Sequence, residues 1–222
     1  MKFSALLITA AVAAFGVAAS ASAAVITMDA RLWTPGTTFT TSADYVTEWT
    51  NLLAAQPTPP SGYGDQTIVN WNGGQSNGAA FGSHNNIGYH DKVVFTVAPG
   101  QVGGWAFRLG IDLGYGGTLL IDGTPAQTRT TDMWWAGSYG NPSQFLAGVA
   151  NLTAGTHTLD IYGFEGCCDG GTQGQFLSPG AHGFTNFSAT PEPTSWAMMI
   201  VGLGLSGATL RRRYAKPVAA KS

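Results

Sequence analysis

Gly104-Trp105-Ala106-Phe107-Arg108-Leu109-Gly110-Ile111 carries a large apolar side chain at every second position. Extended backbone points successive side chains to opposite faces, so Trp105, Phe107, Leu109 and Ile111 share one side and Arg108 takes the other. This is a strand with one face in a core, and the same signal recurs to either side of it. Lys92-Val93-Val94-Phe95-Thr96-Val97 ends at Pro99-Gly100, and Thr118-Leu119-Leu120-Ile121 runs into the tight-turn pair Asp122-Gly123. Ala154-Gly155 joins Val149–Leu152 to Thr156–Phe164, in which Leu159 and Ile161 face inward while Thr158, Asp160 and Tyr162 face outward. Thr185–Ala189 reads as a closing strand. Six to nine strands at this spacing predict an all-β fold, a single β-sandwich of jelly-roll or related type.

Composition agrees. Glycine, threonine, asparagine and aromatics are abundant while lysine, glutamate and arginine are scarce, so few stretches suit a solvent-facing helix. The exception is Ser42–Ala55, where Val46, Trp49, Leu52 and Leu53 fall at helical spacing and Ser42 or Asp44 is placed to cap. Gln56-Pro57-Thr58-Pro59-Pro60-Ser61-Gly62 stops it. Trp71–Asn86, dense in Asn, Gly and Ser, reads as a long surface loop.

The two ends of the chain are of another kind. Met1-Lys2, an apolar stretch from Ala5 to Ala19 and the small-x-small triplet Ala21-Ser22-Ala23 form a secretory signal peptide, with cleavage expected between Ala23 and Ala24. The alternative, a retained anchor, lacks a basic flank. At the other end, Pro191-Glu192-Pro193 precedes an apolar run from Trp196 to Leu210 and then Arg211-Arg212-Arg213. The run is apolar on every face, and it spans a roughly 30 Å hydrocarbon layer by including Pro193–Ser195 and letting the arginines snorkel. By the positive-inside rule the body lies outside and 214–222 in the cytoplasm. The expected domains are therefore 1–23 signal peptide, 24–190 extracellular sandwich, 191–213 membrane-spanning sorting segment and 214–222 tail. The exported body has four basic and eleven acidic residues, a net charge of −7, which makes nucleic acid and anionic headgroups poor partners and leads to the expectation of no nucleic-acid partner. Neutral sugars and calcium remain compatible with it.

The order Pro191-Glu192-Pro193-Thr194, apolar helix, Arg211-Arg212-Arg213 resembles the PEP-CTERM sorting signal of Gram-negative bacteria. The resemblance implies signal peptidase and an exosortase as processing partners, a place in the cell envelope or outside it, and association with extracellular polysaccharide and biofilm. A second resemblance lies in the body. Trp105–Leu109, the link Asp112–Gly117, Leu119–Gly123 and later Leu152–Tyr162 look like the central hairpin and following strand of PA14-like sandwich domains. Some PA14-like lectins bind calcium and a sugar through adjacent aspartates at that turn; here Leu113 follows Asp112, and Gly114-Tyr115-Gly116-Gly117 fills the turn.

Cys167-Cys168 are the only two cysteines, and exported proteins oxidise their thiols. Three states stay open: a bond between neighbours, a bond between chains, or free or metal-binding thiols. Neighbouring Cα atoms lie about 3.8 Å apart, below the usual disulfide range, and Gly166, Gly170 and Gly171 supply the backbone freedom that such a ring needs. Phe164-Glu165-Gly166-Cys167-Cys168-Asp169-Gly170 also resembles a group of PEP-CTERM proteins with a Cys-Cys-x-Gly motif.

No catalytic constellation stands out. His84, His90, His157 and His182 are scattered, with no His-x-x-x-His pair, nucleophile elbow or phosphate-cradling loop. Glu165 and Asp169 flank the cysteines and Asp112 is expected in a facing loop, and two close carboxylates are the machinery of sugar hydrolysis. Calcium, with its demand for six to eight oxygens, is a further candidate for Asp112, Asp132, Glu165 and Asp169. Binding rests on aromatics. Trp134-Trp135 in extended backbone point to opposite faces, which leaves one as a platform for a sugar ring beside Tyr115, Tyr139 and Asp112. Alternatively both are buried. The threonine clusters Thr37–Thr41 and Thr128–Thr131 show no repeat period of the kind an ice-binding face needs. The expectation is a non-enzymatic structural or adhesive surface protein that binds carbohydrate, with a secreted glycan-active hydrolase as the alternative.

Overall fold

The computed structural model describes residues 24–189. The expected signal peptide and the sorting segment with Pro191, Glu192, Pro193, Arg211, Arg212 and Arg213 lie outside the described residues. Among the described residues no helix is long and apolar enough to cross a membrane. Along the chain come β1 (Val25–Leu32), helix α1 (Ser42–Ala55), β2 (Asp65–Ile68), β3 (Asn72–Gln75), the short helix α2 (Asn77–Phe81), β4 (Asn85–Val97), β5 (Gly103–Gly110), β6 (Gly117–Ile121), β7 (Thr124–Arg129), β8 (Leu146–Leu152), β9 (Gly155–Cys167), β10 (Thr172–Leu177) and β11 (Thr185–Asn186).

The strands form two antiparallel sheets packed as a sandwich. One has the order β2-β1-β4-β9-β6-β7; the other has β11-β10-β5-β8, with β3 added to β10. The long pair β4 and β9 is the spine of the first sheet, in register from Asn85 opposite Cys167 to Val97 opposite Gly155. Alternation fills the space between the sheets. Ile26, Met28, Val93, Phe95, Leu159 and Ile161 meet Trp105, Phe107, Leu109, Leu146, Phe176 and Phe187, all buried. Each large side chain so placed contributes about 1.5–3 kcal/mol relative to exposure.

α1 closes the outer face of the first sheet. Its bounds are those that the periodicity predicts, but its cap is Thr41 rather than Ser42 or Asp44. The Thr41 hydroxyl accepts from the Asp44 N–H while the Asp44 carboxylate accepts from the Thr41 N–H, a reciprocal box that satisfies two otherwise orphaned donors. Tyr45 and Trp49 of α1 pack with Trp33, Phe39 and Phe164 in a second, separate aromatic cluster. Phe39 stacks on Tyr45 at 4.3 Å and on Phe164 at 4.7 Å.

Two further expectations are corrected. Trp71–Asn86 is not a surface loop: it holds β3, α2 and the start of β4, with Trp71 and Asn77 fully buried. Its polar side chains replace backbone partners. The Asn77 amide donates to the Gly62 and Ser83 carbonyls, and the Trp71 indole N–H donates to Thr172 Oγ1 at 2.7 Å. Next, Trp105–Leu109 and Leu119–Asp122 do not pair as a hairpin, because β5 and β6 belong to different sheets; β6 pairs with β7 through Asp122-Gly123, both at positive φ. Ala154-Gly155, which joins β8 to β9, carries the chain from one sheet to the other.

Candidate functional site

Chain crossings between the sheets leave loops at one end of the sandwich, and there the chemistry of the sequence collects. A groove of about 500 Å³ is lined by Pro35, Asp112, Gly114, Tyr115, Asp132, Trp134, Glu165, Gly166, Cys167 and Cys168. Two loops make its floor and one wall. They are tied by an isolated bridge in which the Met133 N–H donates to the Leu113 carbonyl at 3.1 Å, both side chains being buried. Because Leu113 and Met133 go inward, their neighbours Asp112, Gly114, Asp132 and Trp134 are turned to the groove. Trp134 is 63% exposed whereas Trp135 is 6% exposed, its ring over Gly110 of β5 and against Tyr139. Trp135 therefore does not line the groove. Tyr139 does not line it either: Arg108 lies 4.1 Å over its ring, and its hydroxyl donates to the Gln173 carbonyl at 2.9 Å.

The β5–β6 loop is fixed from behind. The Tyr45 hydroxyl lies 2.8 Å from the carbonyl oxygens of both Tyr115 and Arg129 and shares its one proton between them, which couples α1 to the groove floor. Gly116, at φ +74°, allows this approach, since a Cβ there would stand 2.1 Å from the Arg129 carbonyl oxygen.

Glu165 is the centre of the opposite wall. It is buried, its Oε1 accepts from the Cys167 N–H at 2.7 Å, and its Oε2 accepts from the Gly114 N–H of the facing loop. One carboxylate thus laces two loops together. Burial raises its pKa while these backbone donors pull it back. Asp112, also buried, is pushed up to about 6 by burial first and the nearby Glu165 charge second, with the Trp135 N–H opposing.

Cys167 and Cys168 are bonded to each other, and both residues line the groove. Cys168 sits at φ +77°, a conformation that costs an L-residue roughly 1–2 kcal/mol. Paired donors hold it there: the N–H groups of Cys168 and Asp169 both reach the His84 carbonyl, at 2.9 and 3.0 Å. Asp169 turns away from the groove; its carboxylate accepts from the Gly78 N–H at 2.7 Å and from the Tyr89 hydroxyl. The four candidate calcium ligands are consequently not convergent. Among the described residues no three His, Cys, Asp or Glu side chains are grouped to hold a metal ion.

The histidines serve elsewhere. His90 Nε2 is 2.9 Å from Asp160 on the outer face of the first sheet, and His157 bridges Asp122 and the Thr153 carbonyl. Sequence reading missed the anchoring role of Tyr45 and the wall position of Pro35, for which there is no local signal. It also missed Asp91, which falls on the inner phase of the Tyr89-Asp91-Val93 alternation and was legible there.

Residues 189–213 match the PEP-CTERM protein-sorting motif. The chain carries a PEP-CTERM sorting signal. PEP-CTERM proteins are exported and sorted to the cell surface, and the motif implies processing by an exosortase. No curated protein matches the chain in sequence. In fold the body resembles PA14 domains. It is similar to a PA14 sugar-binding domain from an RTX adhesin, at 14% identity and a TM-score of 0.45, over 74% of this chain and 95% of that one. It is also similar to the PA14 domain of the MpAFP antifreeze protein, at 12% identity and a TM-score of 0.44, over 77% and 89%. A third likeness is to an epithelial adhesin A domain from Candida glabrata in complex with β-lactose, at 9% identity and a TM-score of 0.43, over 76% and 88%.

Proposed function

We propose that this PEP-CTERM protein is a non-enzymatic adhesive or structural component of the envelope or its extracellular polysaccharide matrix, and that it binds glycan in the groove beside Cys167-Cys168. The observation that carries the reading is Trp134, 63% exposed on the rim of a groove whose walls are otherwise locked by backbone hydrogen bonds. A large apolar ring left in water over a rigid polar cleft is suited to stack on a sugar face. Tyr115, 37% exposed and in edge contact with Trp33, offers a second surface in the same groove.

The placement of the chain ends supports display. The Ala24 N–H donates to the Ser188 carbonyl at 3.2 Å, and the Ala189 N–H donates to the Val69 carbonyl at 2.7 Å, so both ends of the body leave from one place. β1 runs from there for eight residues toward the groove end, about 26 Å at roughly 3.3 Å per residue. With 24–190 outside, 191–213 in the membrane and 214–222 in the cytoplasm, the groove stands off from the bilayer. Glu165 serves in this reading as a strut between the two loops, with one backbone donor on each oxygen.

A glycan array probed with the exported chain in detergent tests this, run beside a polysaccharide hydrolysis assay. Binding that disappears in Trp134→Ala is expected, with no product release. Turnover abolished by Glu165→Gln would replace the adhesive reading with a glycan hydrolase.

A further inference from the structure

The charges of the body are distributed very unevenly. Its four basic side chains are all committed away from the groove. Arg31 pairs with Asp65 and lies over Trp49. Lys92 stands 4.0 Å from Asp160. Arg108 donates to Gln175 and is held between the rings of Tyr139 and Phe184, at 4.1 and 3.9 Å. Arg129 donates to the carbonyls of Phe145 and Pro142. None of them lines the groove, and no histidine does.

Apart from Asp91, which is buried between the sheets with no hydrogen-bond partner, the carboxylates outside the groove have local partners. Asp29 and Asp160 flank His90, Asp44 caps α1, and Glu48 accepts from the Trp33 indole. Asp122 meets His157 and the Thr158 N–H, while Asp169 accepts from Tyr89 and Gly78. In the groove, by contrast, Asp112, Asp132 and Glu165 lie close enough for their charges to act on one another, and the only groups that answer them there are neutral backbone N–H donors. An open, aromatic-edged cleft with three acids and no base is electrostatically complementary to a cation. The exposed indole of Trp134 adds to this, because an aromatic face attracts a positive charge as well as a sugar ring.

We propose that the ligand of this groove is a cationic glycan, a polysaccharide of hexosamine units whose amines are free rather than acetylated, with an ammonium group among Asp112, Asp132 and Glu165 and the pyranose ring against Trp134. The inference rests on the glycan-binding reading above and adds the substrate class. An acetylated hexosamine presents a neutral amide and a methyl group, which leave the acids unanswered, and an acidic sugar is repelled.

The test is calorimetric titration of the exported chain in detergent, with a chelator present, using glucosamine hexasaccharide, N-acetylglucosamine hexasaccharide and a lysine hexapeptide. The glucosamine oligomer is expected to bind at least about tenfold tighter than either of the others, as a charge-assisted contact to a partly desolvated carboxylate allows. Asp132→Asn, at an exposed position, is expected to remove about threefold of that preference, and Trp134→Ala to abolish sugar binding while the fold is retained. Equal binding of the two sugars overturns the charge inference and leaves the glycan groove standing. Lysine peptide binding as tightly as glucosamine oligomer overturns it too, as attraction to net charge alone. Failure of every sugar on this titration and on the array sinks the glycan groove itself.

Discussion

Glu165 and Asp91 are carboxylic acids removed almost wholly from solvent, at 4% and 0% exposure, yet one stands in the groove wall and the other between the sheets. Around Glu165 the backbone supplies donors from two loops. Around Asp91 it supplies none: every backbone N–H nearby is spent in the ladder, its cross-strand neighbours are Met28 and Ile161, and neither of its oxygens has a hydrogen-bond partner. Burial, with the charges of Asp29 and Asp169 behind it, drives the Asp91 pKa far up. Burial alone therefore does not decide what an acid does in this fold. Loop ends, where backbone donors are free, turn a buried acid into a strut, and the sheet interior turns one into a liability.

Removing the strut is the most damaging change. Glu165→Ala leaves the N–H groups of Gly114 and Cys167 without their acceptor inside a closed wall, and about 2–4 kcal/mol of stability is expected to go with it. Urea denaturation measures this directly. Glu165→Gln keeps an acceptor oxygen and is expected to lose less than half as much; equal losses for the two variants would mean that the side chain fills space rather than lacing loops.

At the other acid the sign reverses. Asp91→Leu replaces an unpartnered polar group among Met28, Val93 and Ile161 by an apolar one, and a gain of about 1–2 kcal/mol is expected. A loss in the same denaturation experiment would show that Asp91 finds a donor in solution. Its pH dependence follows by linkage. An acid whose folded pKa is raised contributes most to stability below the ordinary carboxylate range and loses that contribution as pH climbs through the folded value. Wild-type stability should fall as pH rises from about 4, and in Asp91→Leu that fall should be reduced to the parts due to the groove acids, to Asp29, raised by burial, and to His157, raised against burial by Asp122.

The groove part is shared with Glu165, which burial also raises, and its clearest member is Asp112. Raised to about 6, it sits among Glu165, Asp132 and Asp169, whose charges oppose its ionisation, and the Trp135 N–H, which favours it. Its stabilising effect is complete below its unfolded value and disappears by the time pH passes 6, so Asp112→Asn should flatten the stability profile between about 4 and 6 and leave the higher range to Asp91. The effect is expected to be smaller than that of Asp91→Leu. A profile unchanged by Asp112→Asn would place the acid outside the desolvated pocket that the loop bridge Leu113–Met133 makes.

How much of this was legible in the chain depends on whether the signal was local. The alternation in Gly104–Ile111 and Thr156–Phe164 marks inward faces directly, and the period of Ser42–Ala55 gives the bounds of α1. Which sheet each strand joins is not a local property, so β5 and β6, adjacent in sequence, read as a hairpin although they lie in opposite layers. Trp71–Asn86 misread as a loop because Asn, Ser and Gly favour turns, whereas here Asn77 and Ser76 satisfy backbone groups around a buried helix turn. In the site, Asp112, Tyr115, Trp134, Glu165 and the cysteine pair were conspicuous as residue types. Their meeting depends on the Leu113–Met133 bridge and on Tyr45 reaching across from α1, contacts far apart in sequence that no spacing announces.

Trp134 gives the smallest change in stability and for that reason the cleanest separation of the groove from the interior. Its neighbour Trp135 is sunk against Gly110 and Tyr139 and belongs to the packing of β5, whereas Trp134 buries little and its loss should leave stability within about 0.5 kcal/mol of wild type. A solvent-exposed indole contributes little to a fold, so whatever Trp134→Ala removes must be something outside the fold. Thermal melting of the two proteins side by side is the measurement. A drop of several degrees would mean that Trp134 closes over the groove loops as a packing element, and its exposure would then be no argument for a ligand.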